Sequence, residues 1–160
     1  MGFTIRKAKR NDCPLIFSLI RELAIYEKLE REVVATVEEL EKTLFGDNTF
    51  VEVYIGYEGE NPVGFCLIFQ NYSTFLGRPG IYLEDLFVKE THRGKGYGKK
   101  MLQFLARLAV ERNCGRFEWS VLDWNKPAID FYKNLGAREM DEWTVYRVSG
   151  EALKKLAGVN

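Results

Sequence analysis

Apolar and polar residues alternate from Phe3 to Lys9, which predicts a first strand there. Leu15, Ile16, Leu19, Ile20 and Leu23 then recur at helical spacing. They predict a helix starting near Cys13-Pro14, where proline is tolerated and Asn11 or Asp12 can cap. Thr36-Val37-Glu38-Glu39 is a capping box opening a second helix, which ends near Gly46, and Asp47 and Asn48 form a turn. Phe50–Tyr57 and Pro62–Phe69 are expected strands, joined as a hairpin by the polar turn Glu58-Gly59-Glu60-Asn61. Another strand is predicted over Ile81–Val88. A helix follows from about Gly96 to Asn113, with Met101, Leu102, Leu105, Leu108 and Ala109 on one face. Arg116–Leu122 reads as a strand, and Asn125–Leu135 as a short helix stopped by Gly136. Trp143–Val148 reads as a last strand and Glu151–Leu156 as a terminal helix. No repeat, low-complexity run or linker interrupts the pattern, so one α/β domain is expected over residues 1–160.

Composition narrows the function classes. The 23 basic and 23 acidic residues balance, which argues against a nucleic-acid binder with its usual basic excess. No apolar run approaches the ~20 residues needed to span a bilayer, and Met1–Arg6 has no signal-peptide core. Gly2 begins like a myristoylation site, but Arg6 stands where Ser or Thr is required. Cys13, Cys66 and Cys114 are odd in number and far apart. They read as buried thiols of a reducing compartment, with no disulfide frame or zinc site. A cytoplasmic location, with no membrane and no nucleic-acid partner, is expected.

The densest chemical signal lies between the Ile81–Val88 strand and the helix that follows. There the chain reads Arg93-Gly94-Lys95-Gly96-Tyr97-Gly98-Lys99-Lys100. A strand, a glycine-rich turn and a helix N-terminus suggest a phosphate or pyrophosphate cradle. A Walker loop is excluded, because Gly98 is followed by Lys99 and Lys100 without a hydroxyl residue. The dinucleotide fingerprint is excluded too, because the glycines are spaced G-x-G-x-G. The alternative is a set of glycines that merely make a turn before a helix.

The spacing R-x-x-G-x-G resembles the pyrophosphate loop of the GNAT superfamily of acetyl-CoA-dependent N-acetyltransferases. Tyr82-Leu83-Glu84-Asp85-Leu86-Phe87-Val88 resembles that family's central strand. Asp123-Trp124-Asn125-Lys126-Pro127-Ala128, with Phe131-Tyr132 and Leu135-Gly136-Ala137, resembles its later coenzyme-binding segment. Within the family the likeness is to diamine acetyltransferases, of the spermidine/spermine and thialysine branches. It is carried by Leu23-Ala24, Tyr26-Glu27-Lys28-Leu29, Phe45-Gly46-Asp47-Asn48, Tyr82–Asp85 and Leu122–Asn125. The tail Gly150–Gly158 resembles the thialysine branch. So does Tyr72-Ser73-Thr74-Phe75, which lacks the aspartate and Pro-Trp of the spermidine/spermine enzymes. A lysine-like or short diamine substrate is therefore expected over a long polyamine.

The resemblance implies a mixed, mostly antiparallel sheet with a V-shaped split between the Ile81–Val88 and Arg116–Leu122 strands, and helices on both faces. Acetyl-CoA would be the co-substrate, with no metal. Arg93, Gly94, Lys95, Gly96, Tyr97, Gly98 and Lys99 would hold its pyrophosphate. Leu86, Phe87 and Val88 would offer backbone to its pantetheine arm, their side chains being core, and Asn125 and Ala128 would also touch it. Glu84 is the expected base, because an alkyl ammonium with pKa near ~10.4 must lose a proton to attack. Tyr132 is the expected acid, a phenol still protonated at neutral pH, and would contact the coenzyme.

Tyr26 and Glu27 match a substrate-contacting pair, and Asp141 or Glu142 lies near another acidic substrate position. Glu118, Trp119 and Ser120 would line the cleft. Strand alternation puts Tyr82, Glu84, Leu86 and Val88 on one face and Leu83, Asp85 and Phe87 on the other. Glu84 and Asp85 then cannot share a cleft unless a bulge intervenes, which leaves Asp85 a structural role or a second place at the substrate. His92, the only histidine, flanks the loop or faces solvent. Dimers are common among such relatives, so a homodimer is expected. Two other readings remain: acetylation of a protein lysine or N-terminus, and a non-catalytic CoA-binding sensor or adaptor.

Overall fold

The computed structural model describes residues 2–160. In chain order the elements are β1 (Phe3–Lys7), α1 (Cys13–Tyr26), α2 (Val37–Phe45), β2 (Val51–Glu58), β3 (Asn61–Ser73), β4 (Arg78–Val88), α3 (Tyr97–Glu111), β5 (Arg116–Trp119), α4 (Lys126–Asn134) and α5 (Gly150–Ala157). They fall into two compact units, the first running to Leu122 and the second Asp123–Asn160.

The first unit is built on a five-stranded sheet in the order β1-β2-β3-β4-β5. The first three pairings are antiparallel and only β4 with β5 is parallel. That parallel pairing covers only Gly80–Leu83 against Arg116–Trp119, while β4 runs on to Val88. The stretch Glu84–Val88 thus has β3 on one side and no β5 partner on the other.

Helices cover both faces. Val53, Ile55, Phe65 and Phe87 pack with Ile16, Leu19 and Leu23 of α1 and Leu44 of α2. Tyr54, pointing the other way, meets Phe104 of α3 edge-on at 5.0 Å. Met101, Leu102, Leu105 and Ala109 are the buried stripe of α3, as their spacing predicts, whereas Leu108 is only partly buried. Arg112 at the end of α3 clamps Glu52 of β2 with two bonds of 2.7 and 2.8 Å, which holds that carboxyl down at about 2. Among the described residues no helix is long and apolar enough to cross a membrane.

Several boundaries differ from those the pattern predicts. Thr36 Oγ1 accepts from the Glu39 amide as expected. Asn11 and Asp12, however, lie in a 3-10 turn. Asp12 Oδ2 accepts from the Lys9 amide at 2.8 Å, capping that turn instead of α1. Strands β3 and β4 form a hairpin longer than residue types suggest, because Asn71↔Gly80, Tyr72↔Pro79 and Ser73↔Arg78 pair across it. Pro79 is tolerated there because the β4–β5 pairing begins only at Gly80. β5 stops at Trp119, short of the expected Leu122. No strand forms over Trp143–Val148 among the described residues, and Trp143, Val145 and Tyr146 are exposed. A strand is a paired structure, and alternation alone does not supply the partner.

Candidate active site

The glycine loop is shaped by its dihedral angles. After β4 a 3-10 turn, Glu90–His92, leads into Arg93. Gly94 and Gly96 have φ of 80° and 82°, left-handed values that a Cβ makes costly. Gly98 lies in the first turn of α3 with ordinary helical φ, and a Cβ there would meet nothing within 4 Å. The backbone conformation at Gly98 thus does not demand glycine, whereas Gly94 and Gly96 serve the turn itself. The first ladder bond of α3 runs from Lys100 N to Gly96 O at 3.0 Å. The amides of Tyr97, Gly98 and Lys99 precede that ladder, as anion-binding helix starts require.

Arg93 folds back from this loop. Its Nε donates to the Val88 carbonyl at 3.0 Å, and its guanidinium lies over the rings of Tyr26, at 4.3 Å, and Phe87, at 5.5 Å. The side chain thus joins the end of β4 to the end of α1, and the backbone amide of Arg93 stays with the loop.

A β-bulge decides which carboxylates share a face. Leu67 pairs with Asp85 but Ile68 pairs with Leu83, so Glu84 is the extra residue. Paired residues share a side, so Tyr82, Asp85 and Phe87 lie on the α1 face with Phe69, Leu67 and Phe65. Leu83 and Leu86 lie on the α3 face with Ile68 and Cys66. The uninterrupted alternation expected for this strand, which grouped Tyr82 with Leu86 and Leu83 with Asp85, is therefore corrected. Burial, with the negative charges of Glu84 and Glu27, raises the Asp85 carboxyl to about 6. Burial also raises Glu27, the residue closing α1. Glu84 itself is exposed. Glu27, Glu84 and Asp85 form one acidic group, at a helix C-terminus whose dipole also favours a cation.

The strand beside it contributes unevenly. Ser120 Oγ and the Tyr82 hydroxyl are 2.7 Å apart. Glu118 accepts from Asn71 Nδ2 at 3.2 Å and lies 3.4 Å from Arg116 Nε. Trp119, paired with Leu83, points to the opposite face and packs on Phe117 at 5.0 Å. Glu118 and Ser120 therefore share the Tyr82 side, and Trp119 does not.

In the second unit Asn125 is buried, and its Oδ1 accepts from the Ala128 amide at 3.4 Å, capping α4 ahead of Pro127. Tyr132 is half-buried on α4, its ring 5.7 Å from that of Phe131. Gly136, with φ of 93°, ends the segment. Asp141 and Glu142 are exposed.

Two residues escaped the sequence reading. Glu58, expected only as part of a turn, ends β2 and accepts from Lys95 and Tyr97 of the loop. Asn71, outside any predicted strand, holds Glu118. Neither carries a local signal, because each acts through a partner more than thirty residues away.

The chain also has clear likenesses. A family model described as the acetyltransferase (GNAT) family matches residues 17–137. A thialysine N-epsilon-acetyltransferase of Sus scrofa is 43% identical, over 96% of both chains. An L-ornithine N5-acetyltransferase of Arabidopsis thaliana is 32% identical, over 98% of this chain and 88% of its own. Among solved structures, an integron cassette protein from the mobile metagenome of V. cholerae matches with a TM-score of 0.83 and 28% identity, over 98% of both chains.

Proposed function

Because the chain belongs to the GNAT acetyltransferase family, we propose that it transfers acetyl from acetyl-CoA to a primary amine of a small diamine or lysine-like substrate. The transfer is by direct attack in a ternary complex. The observation that carries the substrate class is the acidic group Glu27–Glu84–Asp85, with Asp85 and Glu27 both raised by burial. A half-buried carboxylate, costly to ionise there, is stabilised by an arriving ammonium. The names of the relatives, thialysine and L-ornithine acetyltransferases, support an amine carried on an amino-acid-like body.

In this reading Asp85 and Glu27 hold the substrate's positive charge, and Glu84, on the bulge, takes a proton from the reacting ammonium directly or through water. The free amine attacks the thioester carbonyl, a C–N bond forms, and the C–S bond breaks. A backbone N–H near Leu86–Val88, in the stretch of β4 without a β5 partner, polarises the carbonyl oxygen. Tyr132 gives its proton to the departing thiolate and regains one from the acylated nitrogen through water, while the proton held by Glu84 passes to solvent. The fit of the coenzyme rests on the open space at Gly98 and the first-turn amides of α3.

The test is thiol release from acetyl-CoA with a panel of thialysine, lysine, ornithine, spermidine, spermine and a lysine-containing peptide. Short lysine-like amines should exceed spermine in kcat/KM by about tenfold or more. Preference for the peptide would move the reading to protein acetylation, and binding of CoA without turnover would move it to a sensor.

A further inference from the structure

Glu58 ends β2, outside the loop and the strand expected to meet the acetyl donor. Its carboxylate nevertheless gathers the loop's polar side chains. The Tyr97 hydroxyl donates to Oε2, Lys95 Nζ donates to the same oxygen at 2.9 Å, and His92 Nε2 lies 3.7 Å from Oε1. These three partners bracket the turn: His92 precedes Arg93, Lys95 sits between Gly94 and Gly96, and Tyr97 opens α3. The Tyr97 ring is itself fixed, buried and stacked on Phe3 of β1 at 4.2 Å. The anchor is rigid, since Glu58 pairs with Phe3 on one side and Asn61 on the other.

We propose that Glu58 is a positioning residue that holds the Arg93–Lys99 turn in its pyrophosphate-receiving shape. The proposal rests on the reading of this loop as the acetyl-CoA site. Two left-handed glycines leave the turn free to take many shapes once untethered. A carboxylate on the sheet that is bonded to the turn at Lys95 and at the helix start at Tyr97 removes that freedom before the coenzyme arrives. The sign of the effect separates this role from plain electrostatics. A negative charge beside a phosphate site repels the phosphate, so its removal should tighten binding if charge alone mattered. Removal of a tether should loosen it.

The experiment compares Glu58→Ala and Glu58→Gln with the full-length wild type. CoA affinity is read by calorimetry, KM and kcat by thiol release, and amide exchange over residues 94–99 by mass spectrometry. Glu58→Ala should raise the Kd for CoA and the KM for acetyl-CoA about fivefold or more, with kcat at saturation within about twofold. Exchange over the turn should quicken. Glu58→Gln, which still accepts from Tyr97, should recover part of the loss, and KM for the amine should not move. Equal or tighter CoA binding in Glu58→Ala overturns the proposal. Wild type that binds no CoA overturns the coenzyme reading instead. In that case unchanged exchange over 94–99 in Glu58→Ala still overturns the tether by itself.

Discussion

The Arg93 guanidinium lies 4.3 Å above the Tyr26 ring. The loop expected to meet the donor is therefore braced on the helix end expected to meet the acceptor. An exposed cation–π pair of this kind is worth about 0.5–1 kcal/mol. Tyr26→Leu should raise KM for both acetyl-CoA and amine a few-fold, and Tyr26→Phe should restore both. A change confined to the amine KM would show that the bracing has no functional weight.

Asp85 gives a pH signature. Its carboxyl, raised to about 6, binds its proton more tightly in the folded chain than in the unfolded one. Stability should therefore fall as pH rises from the ordinary carboxyl range through about 6. Asp85→Asn should stabilise the protein at pH 7.5 by roughly 1–3 kcal/mol and do little at pH 4. Amine kcat/KM should drop in the same variant. Urea unfolding at the two pH values checks the first part, and an equal effect at both would remove the buried-charge account.

Two glycines of the loop should separate shape from space. Gly96→Ala forces a left-handed alanine and should destabilise by about 1 kcal/mol while weakening CoA binding. Gly98→Ala, in a helical conformation with open space, should leave Tm unchanged or higher yet still weaken CoA binding. Thermal unfolding and CoA titration of both variants distinguish them. Undiminished CoA affinity in Gly98→Ala would place the phosphate elsewhere.

Proton transfer has its own pair of variants. Glu84→Gln should slow turnover about 10²-fold near neutrality, the loss easing at high pH where free amine is abundant. A loss independent of pH would make Glu84 a positioning group. Tyr132→Phe should reduce kcat by about 10- to 100-fold, and undiminished turnover across pH would remove the acid role.

Much of this was legible in short stretches of chain. The α3 stripe of Met101, Leu102, Leu105 and Ala109, the Thr36 cap and the loop after β4 all depend on residues within a few positions of one another. The Trp143–Val148 strand failed because pairing is not a local property.

By itself the sequence determined the order of helices and strands in the first unit, the glycine turn and the residue types of the chemistry. Periodicity, capping and φ preference all act over one or two helical turns. Only the tertiary structure decided how those residues are combined. The bulge at Glu84 arises from register against β3, and it moves Asp85 to the face where burial, with Glu84 and Glu27, raises its pKa. Arg93 was taken by Tyr26 and Phe87, and Glu58 was brought to the loop by the sheet. Strand register sets the bulge and Glu58, because a one-residue slip in a strand reverses which side chains meet, and the Arg93 contact needs the end of α1 beside the loop.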